Sequence, residues 1–271
     1  MIRDITIGQY YPVDSLLHKL DPRVKLFATV IYVIALFCFK GIAGLALITG
    51  FLYMVIKISK VPFKFMTKGL KAIVVLVVIT SVFNLFATPG DIVFWKWNSL
   101  QITDAGIIQA VLMTIRLVYL ILGTSLMTLT TTPNQLTNGL ETALAPLNKF
   151  HVPVHSIAMM MSIALRFIPI LIEETDKIMK AQMARGADFE NGNIVQKAKA
   201  MVPLLVPLFV SAFRRAEDLA MAMEARCYNG GEGRTKMKPL KYQQNDYNAY
   251  GIVIGFLVLV IVLANAVPFP Q

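Results

Sequence analysis

Acidic side chains are scarce in this chain: 16 Asp and Glu stand against 26 Lys and Arg in 271 residues, and charged residues of both signs make up only 15%. With 56% hydrophobic residues and a mean hydropathy of +0.62, a soluble globular domain is excluded and lipid is the fitting solvent. Cysteine is nearly absent. Cys38 sits in an apolar run and Cys227 stands far from it, so neither a C-x-x-C motif nor a disulfide framework is available. The three histidines, His18, His151 and His155, form no H-E-x-x-H, and Pro153 interrupts the one i,i+4 pair. His155 reads as a helix-entry residue, and no metal ligand set is expected. No G-x-x-x-x-G-K-[ST] occurs. The nearest stretch, Gly230-Gly231-Glu232-Gly233-Arg234-Thr235, lacks the lysine and follows no predicted strand, so the chain is not expected to bind or hydrolyse ATP alone. The net charge of +10 is gathered into a few segments, which argues for membrane topology and against nucleic-acid binding.

What is present is apolar length. Five runs approach the roughly 20 residues a spanning helix needs: Leu26 to Phe39 with Lys40 at its edge, Ile42 to Ile58, Leu70 to Ala87, Ile107 to Leu129, and Gly251 to Val267. Lys57, Lys60, Lys64, Lys68 and Lys71 surround the second connection, whereas the third carries Asp91, Asp104 and only Lys96. By the positive-inside bias the lysine-rich loop is cytoplasmic and the Thr88 to Gly106 segment, with Trp95 and Trp97, is external. The N-terminal stretch with Arg3, Lys19, Arg23 and Lys25 then lies inside, and no cleaved signal peptide is expected. The fold expected is an all-α integral membrane protein of about five spans. Residues 1–129 would form a four-span bundle, 130–250 a cytoplasmic helical insert, and 251–271 a last span with its C-terminus outside.

The insert opens with Thr130-Thr131-Thr132-Pro133, a threonine cap and a proline at the first helical position, and continues with Leu136, Leu140, Leu144 and Leu147 on one stripe. Val154 to Ala184 is apolar in its first half and charged in its second, with a kink expected at Pro169. Ile194 to Arg226 repeats that plan, with Pro203 and Pro207 in its apolar part. The two form a weak repeat of about 41 residues. An alternative topology makes their apolar halves, Ile157 to Ile172 and Val202 to Phe213, a further pair of spans, although both are short for that role. Glu173, Glu174, Glu217 and Asp218 can pair with Lys177, Lys180, Arg214 and Arg215 along or between helices, or simply be solvated. Arg116 is the main charge inside an apolar run, either snorkelling to a headgroup or functional. Methionines concentrate between Met159 and Met237, and their flexibility suits a surface that repacks against several partners.

Both repeat copies end in Ala-Arg-small: Ala184-Arg185-Gly186 and Ala225-Arg226-Cys227. A cation at a helix C-terminus gains about 0.3 to 1 kcal/mol from the macrodipole, which would explain one such arginine. Two in matched settings, with small neighbours that admit a close backbone approach, suit insertion of a planar fork into an acidic groove.

Further stretches complete the pattern: Gly8-Gln9-Tyr10, Asp14-Ser15-Leu16-Leu17-His18-Lys19-Leu20-Asp21-Pro22-Arg23-Val24-Lys25, Thr131-Thr132-Pro133, Pro146-Leu147, Leu165-Arg166-Phe167-Ile168-Pro169, Ala181 to Phe189 and Arg214 to Arg226. In this order they resemble the transmembrane T component of energy-coupling factor (ECF) transporters, over nearly the whole chain. The resemblance implies a non-catalytic coupling and scaffold subunit of an ATP-driven vitamin or metal importer in the cell membrane. It implies two ABC-type ATPase partners that bind the ATP and dock at Ala184, Arg185, Gly186, Ala225, Arg226 and Cys227. It also implies a substrate-binding S component, which could be interchangeable, in contact with Met159, Met160, Met161, Leu140, Leu144 and Leu147. The family pattern favours Ala-Arg-Gly at both ends. With Cys227 in place of glycine, the second cap is expected to shift to Asn229 or Gly230. The competing readings are a stand-alone secondary transporter, which calls for paired broken helices, and a membrane-embedded enzyme, which calls for convergent acids or metal ligands within the spans.

Overall fold

The computed structural model describes residues 10–39, 41–90, 93–97, 100–187, 189, 193–230, 237 and 239–266. Arg3, Gly8, Gln9, Lys40, Asp91, Asp188, the Gly231 to Thr235 stretch and Val267, used in the sequence reading, lie outside the described residues. In chain order the elements are α1 (Leu16–Lys19), α2 (Pro22–Cys38), α3 (Gly41–Ser59), α4 (Phe63–Ala87), β1 (Val93–Trp97), β2 (Leu100–Thr103), α5 (Asp104–Thr130), α6 (Pro133–Leu144), a 3-10 segment (Ala145–Phe150), α7 (Val154–Ala184), α8 (Ile194–Ala225) and α9 (Gln244–Ala266). Helix therefore dominates, as composition implied. The exception is the short antiparallel hairpin, in which Trp95 pairs with Ile102 and Trp97 with Leu100.

Each of the five apolar runs lies on a helix, but the tally of membrane-competent helices differs from the expected five. Among the described residues α5, α7 and α9 are long and apolar enough to cross a membrane; the pair 43–59 and 63–71, bent by 120°, makes a fourth if it counts as one span. Helix α2 stops at 17 residues. Helix α7, whose apolar half alone is short, qualifies because it runs unbroken through Pro169 for 31 residues.

Two compact units divide the chain: residues 8–139 with 240–271, and residues 1–7 with 140–239. In the first, Tyr32, Leu36, Ile48, Leu52, Leu126 and Phe256 belong to one core joining α2, α3, α5 and α9, where the Phe51 and Phe256 rings stack at 4.0 Å. Helices α2 and α5 meet closely only because Gly123 has no side chain. A Cβ there would stand 2.1 Å from the Tyr32 ring, whose hydroxyl donates to the Tyr119 carbonyl at 2.9 Å.

One end of this unit is closed by polar groups. The Asp246 carboxylate, 2% exposed, accepts from the Gln243 N–H at 2.7 Å as a first-turn cap of α9 and from the Asp21 N–H at 2.8 Å. Asp21 in turn caps α2 through the Arg23 N–H and holds the Arg23 guanidinium at 2.9 Å. Lys25, 6% exposed, donates to the carbonyls of His18 and Thr130 at 3.1 and 2.8 Å. Such partners are what make a buried ammonium tolerable. Arg23 and Lys25, read from sequence as topology signals, are therefore also internal fasteners.

Helix α6 starts as its sequence dictates. Thr132 Oγ1 accepts from the Gln135 N–H at 3.3 Å while Gln135 Oε1 accepts from the Thr132 N–H at 3.1 Å, a reciprocal capping box ahead of Pro133. The leucine stripe does not stay helical to its end, since Leu147 falls in the 3-10 segment behind Ala145-Pro146.

Candidate docking site at two matched helix ends

The sequence placed arginine at two helix ends, and the backbone explains why those ends are alike. Arg185 is the C-cap of α7. Behind it the Gly186 N–H donates to the Met183 carbonyl and the Ala187 N–H to the Gln182 carbonyl, both at 3.0 Å, with Gly186 at φ +89°. This crossed pair is the Schellman closure, which uses a left-handed residue to satisfy the last carbonyls. At the end of α8 the Cys227 N–H donates to the Glu224 carbonyl at 2.8 Å and the Tyr228 N–H to the Met223 carbonyl at 3.0 Å, with Cys227 at φ +55°. The closure is the same, bond for bond.

The expected shift of the second cap to Asn229 or Gly230 is thus corrected. Cys227 itself takes the left-handed conformation, because moving the cap would leave the Met223 and Glu224 carbonyls without these donors. The cost of a Cβ there is about 1–2 kcal/mol, comparable to the bonds that would be lost. Ala184, Arg185, Gly186, Ala225, Arg226 and Cys227 are all exposed. Each tip therefore presents a guanidinium flanked by small residues, on a backbone whose own polar groups are already used. Such a tip can enter a partner's groove and offer five N–H donors without unmaking the helix end.

Behind the tips α7 and α8 pack on each other. The Arg215 Nη2 donates to Glu174 Oε2 at 3.3 Å across the pair, so one of the ion pairs conceivable from sequence forms between helices. Next to it lies a cavity of about 270 Å³ with walls from Phe167, Leu171, Leu219 and Met223. At the entry of α7 the Glu141 carboxylate meets His155 Nδ1 at 2.9 Å, joining α6 to α7. Sequence reasoning missed that pairing, because the two residues share no helical register. Of the residues assigned to S-component contact, Met160, Met161, Leu144 and Leu147 are exposed, while Met159 and Leu140 are half-buried. Among the described residues no three His, Cys, Asp or Glu side chains gather at one point.

Residues 14–237 match the family model CbiQ, described as cobalt transport protein. The energy-coupling factor transporter transmembrane protein EcfT of Clostridium kluyveri is 57% identical over 250 residues, covering 92% of this chain and 93% of the relative. The proteins of that name from Ruminiclostridium cellulolyticum and Bacillus subtilis are 52% and 47% identical, each over 263 residues, with 97% of this chain and 98% of the relative covered in both cases. Matches of this identity and extent place the chain in the family of energy-coupling factor transporter transmembrane proteins, EcfT.

Proposed function

We propose that this chain is the non-catalytic coupling subunit of a multi-subunit ECF-type importer. Its N-terminus and the Arg185 and Arg226 ends of α7 and α8 face the cytoplasm. Two ABC-type ATPase subunits supply ATP binding and hydrolysis, one docking on Arg185 and the other on Arg226. The observation that carries this reading is the pair of exposed arginines held at two identical helix closures. A single partner with one groove would need only one, whereas two similar ATPases need two similar tips.

A membrane-embedded S component, which holds the vitamin or metal, rests on the surface of Met159, Met160, Met161, Leu140, Leu144 and Leu147. Closure of the ATPases on ATP moves the tips, and α7 and α8, 31 and 32 residues long, carry the displacement to that surface. Rigid helices transmit such motion because their internal hydrogen bonds resist bending more than their mutual contacts resist sliding.

The test is co-purification in mild detergent. The double substitution Arg185→Glu with Arg226→Glu abolishes recovery of the ATPases while the protein still inserts and elutes as a single species. Normal ATPase recovery with both charges reversed would falsify the docking assignment.

A further inference from the structure

Arg116 lies within α5 and, among the described residues, has no counter-charge. Its guanidinium stands over the Phe39 ring at 4.9 Å and the Phe37 ring at 5.8 Å, and its Nη1 reaches only the Met113 sulfur, at 3.9 Å. Among the described residues its Nε is buried without an acceptor and it forms no ion pair. Nor does the sequence hold a carboxylate for it nearby: Asp and Glu are absent from residues 22–87, 105–140, 142–172 and 247–271. The C-terminus of α2, ending at Cys38 beside those rings, offers at most about half a negative charge from its dipole.

Depth decides what can neutralise it. At 1.5 Å per residue Arg116 is about 18 Å from the Asp104 end of α5 and about 21 Å from the Thr130 end. However an upright helix of that length slides through a hydrocarbon core about 30 Å thick, Arg116 stays about 8 Å or more inside it. The rings of Phe37 and Phe39, at 5.8 and 4.9 Å, lie against the guanidinium at that depth. A lipid phosphate, which resides outside that core, is badly placed to meet it, whereas an acidic residue on another membrane helix is well placed.

The neighbouring surface has the form such a helix needs. Phe27, Val30, Ile34 and Phe37 follow the 3-4-3 spacing of a helix seam along α2, and all four are exposed, Phe37 most of all at 61%. The stripe ends beneath Arg116. We infer that this face receives a transmembrane helix of a partner protein carrying an Asp or Glu at mid-depth, with Phe27, Val30, Ile34 and Phe37 as the packing seam and Arg116 as the ion-pair anchor that fixes its register. The site is separate from the arginine tips, and it stands whether or not Arg185 and Arg226 dock ATPases.

The experiment uses the full chain co-expressed with its transporter partners and purified through a tag on this chain. Arg116→Gln lowers recovery of the membrane partner by about tenfold, with ATPase recovery unchanged, and Arg116→Lys, which keeps the charge, restores most of it. Arg116→Glu loses the partner and regains it when the partner's intramembrane carboxylate is replaced by lysine. A photo-crosslinking residue at Phe37, with Arg116 intact, captures the partner segment that bears the carboxylate. Wild-type recovery of the partner with Arg116→Gln overturns the proposal. So does native mass spectrometry showing that Arg116→Gln sheds an anionic phospholipid while keeping the partner, or a Phe37 crosslink to lipid alone.

Discussion

Glu174 and Arg215, the two residues that join α7 to α8 at 3.3 Å, are 41 positions apart in the chain, and so are Arg185 and Arg226. Equivalent positions of the two repeat copies thus touch each other. Contact between equivalent positions is what an approximate two-fold axis through the helix pair would produce. The charges are opposite where the repeat would make them alike, so the crossing is held together and not pushed apart.

Glu174→Gln or Arg215→Gln alone is expected to leave stability nearly unchanged, within about 1 kcal/mol, because the pair is only half-buried and such pairs are worth little. Coupling responds more. Either variant raises ATP hydrolysed per substrate imported in proteoliposomes, and the charge exchange Glu174→Arg with Arg215→Glu brings the ratio back. An unchanged ratio in all three would remove the pair from the transmission path.

Lysine is a poor replacement at either tip. Arg185→Lys and Arg226→Lys keep the charge but lose the planar fork, and each is expected to reduce uptake by about tenfold. Uptake at the wild-type rate with both lysines would show that the tips act as point charges and enter no shaped groove.

The two closures share a geometry but not a residue, which predicts unequal responses to substitution. Gly186→Ala places a Cβ at φ +89° and is expected to destabilise the α7 end by about 1–2 kcal/mol. Cys227→Gly relieves the same strain at φ +55° and, after the unfolded-state cost of glycine, is neutral or stabilising by less than about 1 kcal/mol. Hydrogen exchange at the Ala187 and Tyr228 amides, the outer donors of the two closures, reads both effects; faster exchange at Tyr228 in Cys227→Gly would contradict the assignment.

His18 gives the N-terminal fastening a pH dependence. Its Nε2 sits 3.0 Å from the Tyr11 carbonyl and its Nδ1 2.7 Å from the Ser15 hydroxyl, an arrangement that suits the neutral ring. Burial, aided by the Lys25 ammonium, holds the imidazole below its ordinary value of 6.5 against the pull of the Tyr11 carbonyl. The unfolded chain therefore takes up a proton first as pH falls through 6.5, and folded-state stability declines below that value and is flat above it. Thermal unfolding of the purified chain at pH 7.5 and 5.5 measures the decline, which His18→Gln is expected to abolish.

What could be read from sequence alone was what is decided locally. The Thr132-Pro133-Gln135 capping box, the two arginine ends and the runs on α2, α3, α4, α5 and α9 each depend on residues within a turn or two of one another. The Cys227 cap was misjudged because propensity alone ranks cysteine below glycine in a left-handed position, while the carbonyls waiting to be satisfied belong to the folded helix end. Asp246 was not singled out at all. Its partner Asp21 lies 225 residues away, and no periodicity relates them. The apolar length of α7 was undervalued for a different reason: its apolar half ends at charged residues, yet the helix runs unbroken through Pro169 and so gains a window long and apolar enough to cross a membrane.

The Asp246 bond to the Asp21 amide has a consequence for how the protein is made. The unit of residues 8–139 and 240–271 cannot be completed while the chain is still being synthesised through its middle, because the carboxylate that closes it arrives near the end. Until then α2 and α3 hold a slot for α9, with the Asp21 donor waiting beside it. The last helix is in that sense a clasp. Its entry joins the two ends of the unit around a long intervening segment whose length adds only slowly to the entropy of closure, so the middle of the chain can be as large as its task demands without loosening the fold that anchors it.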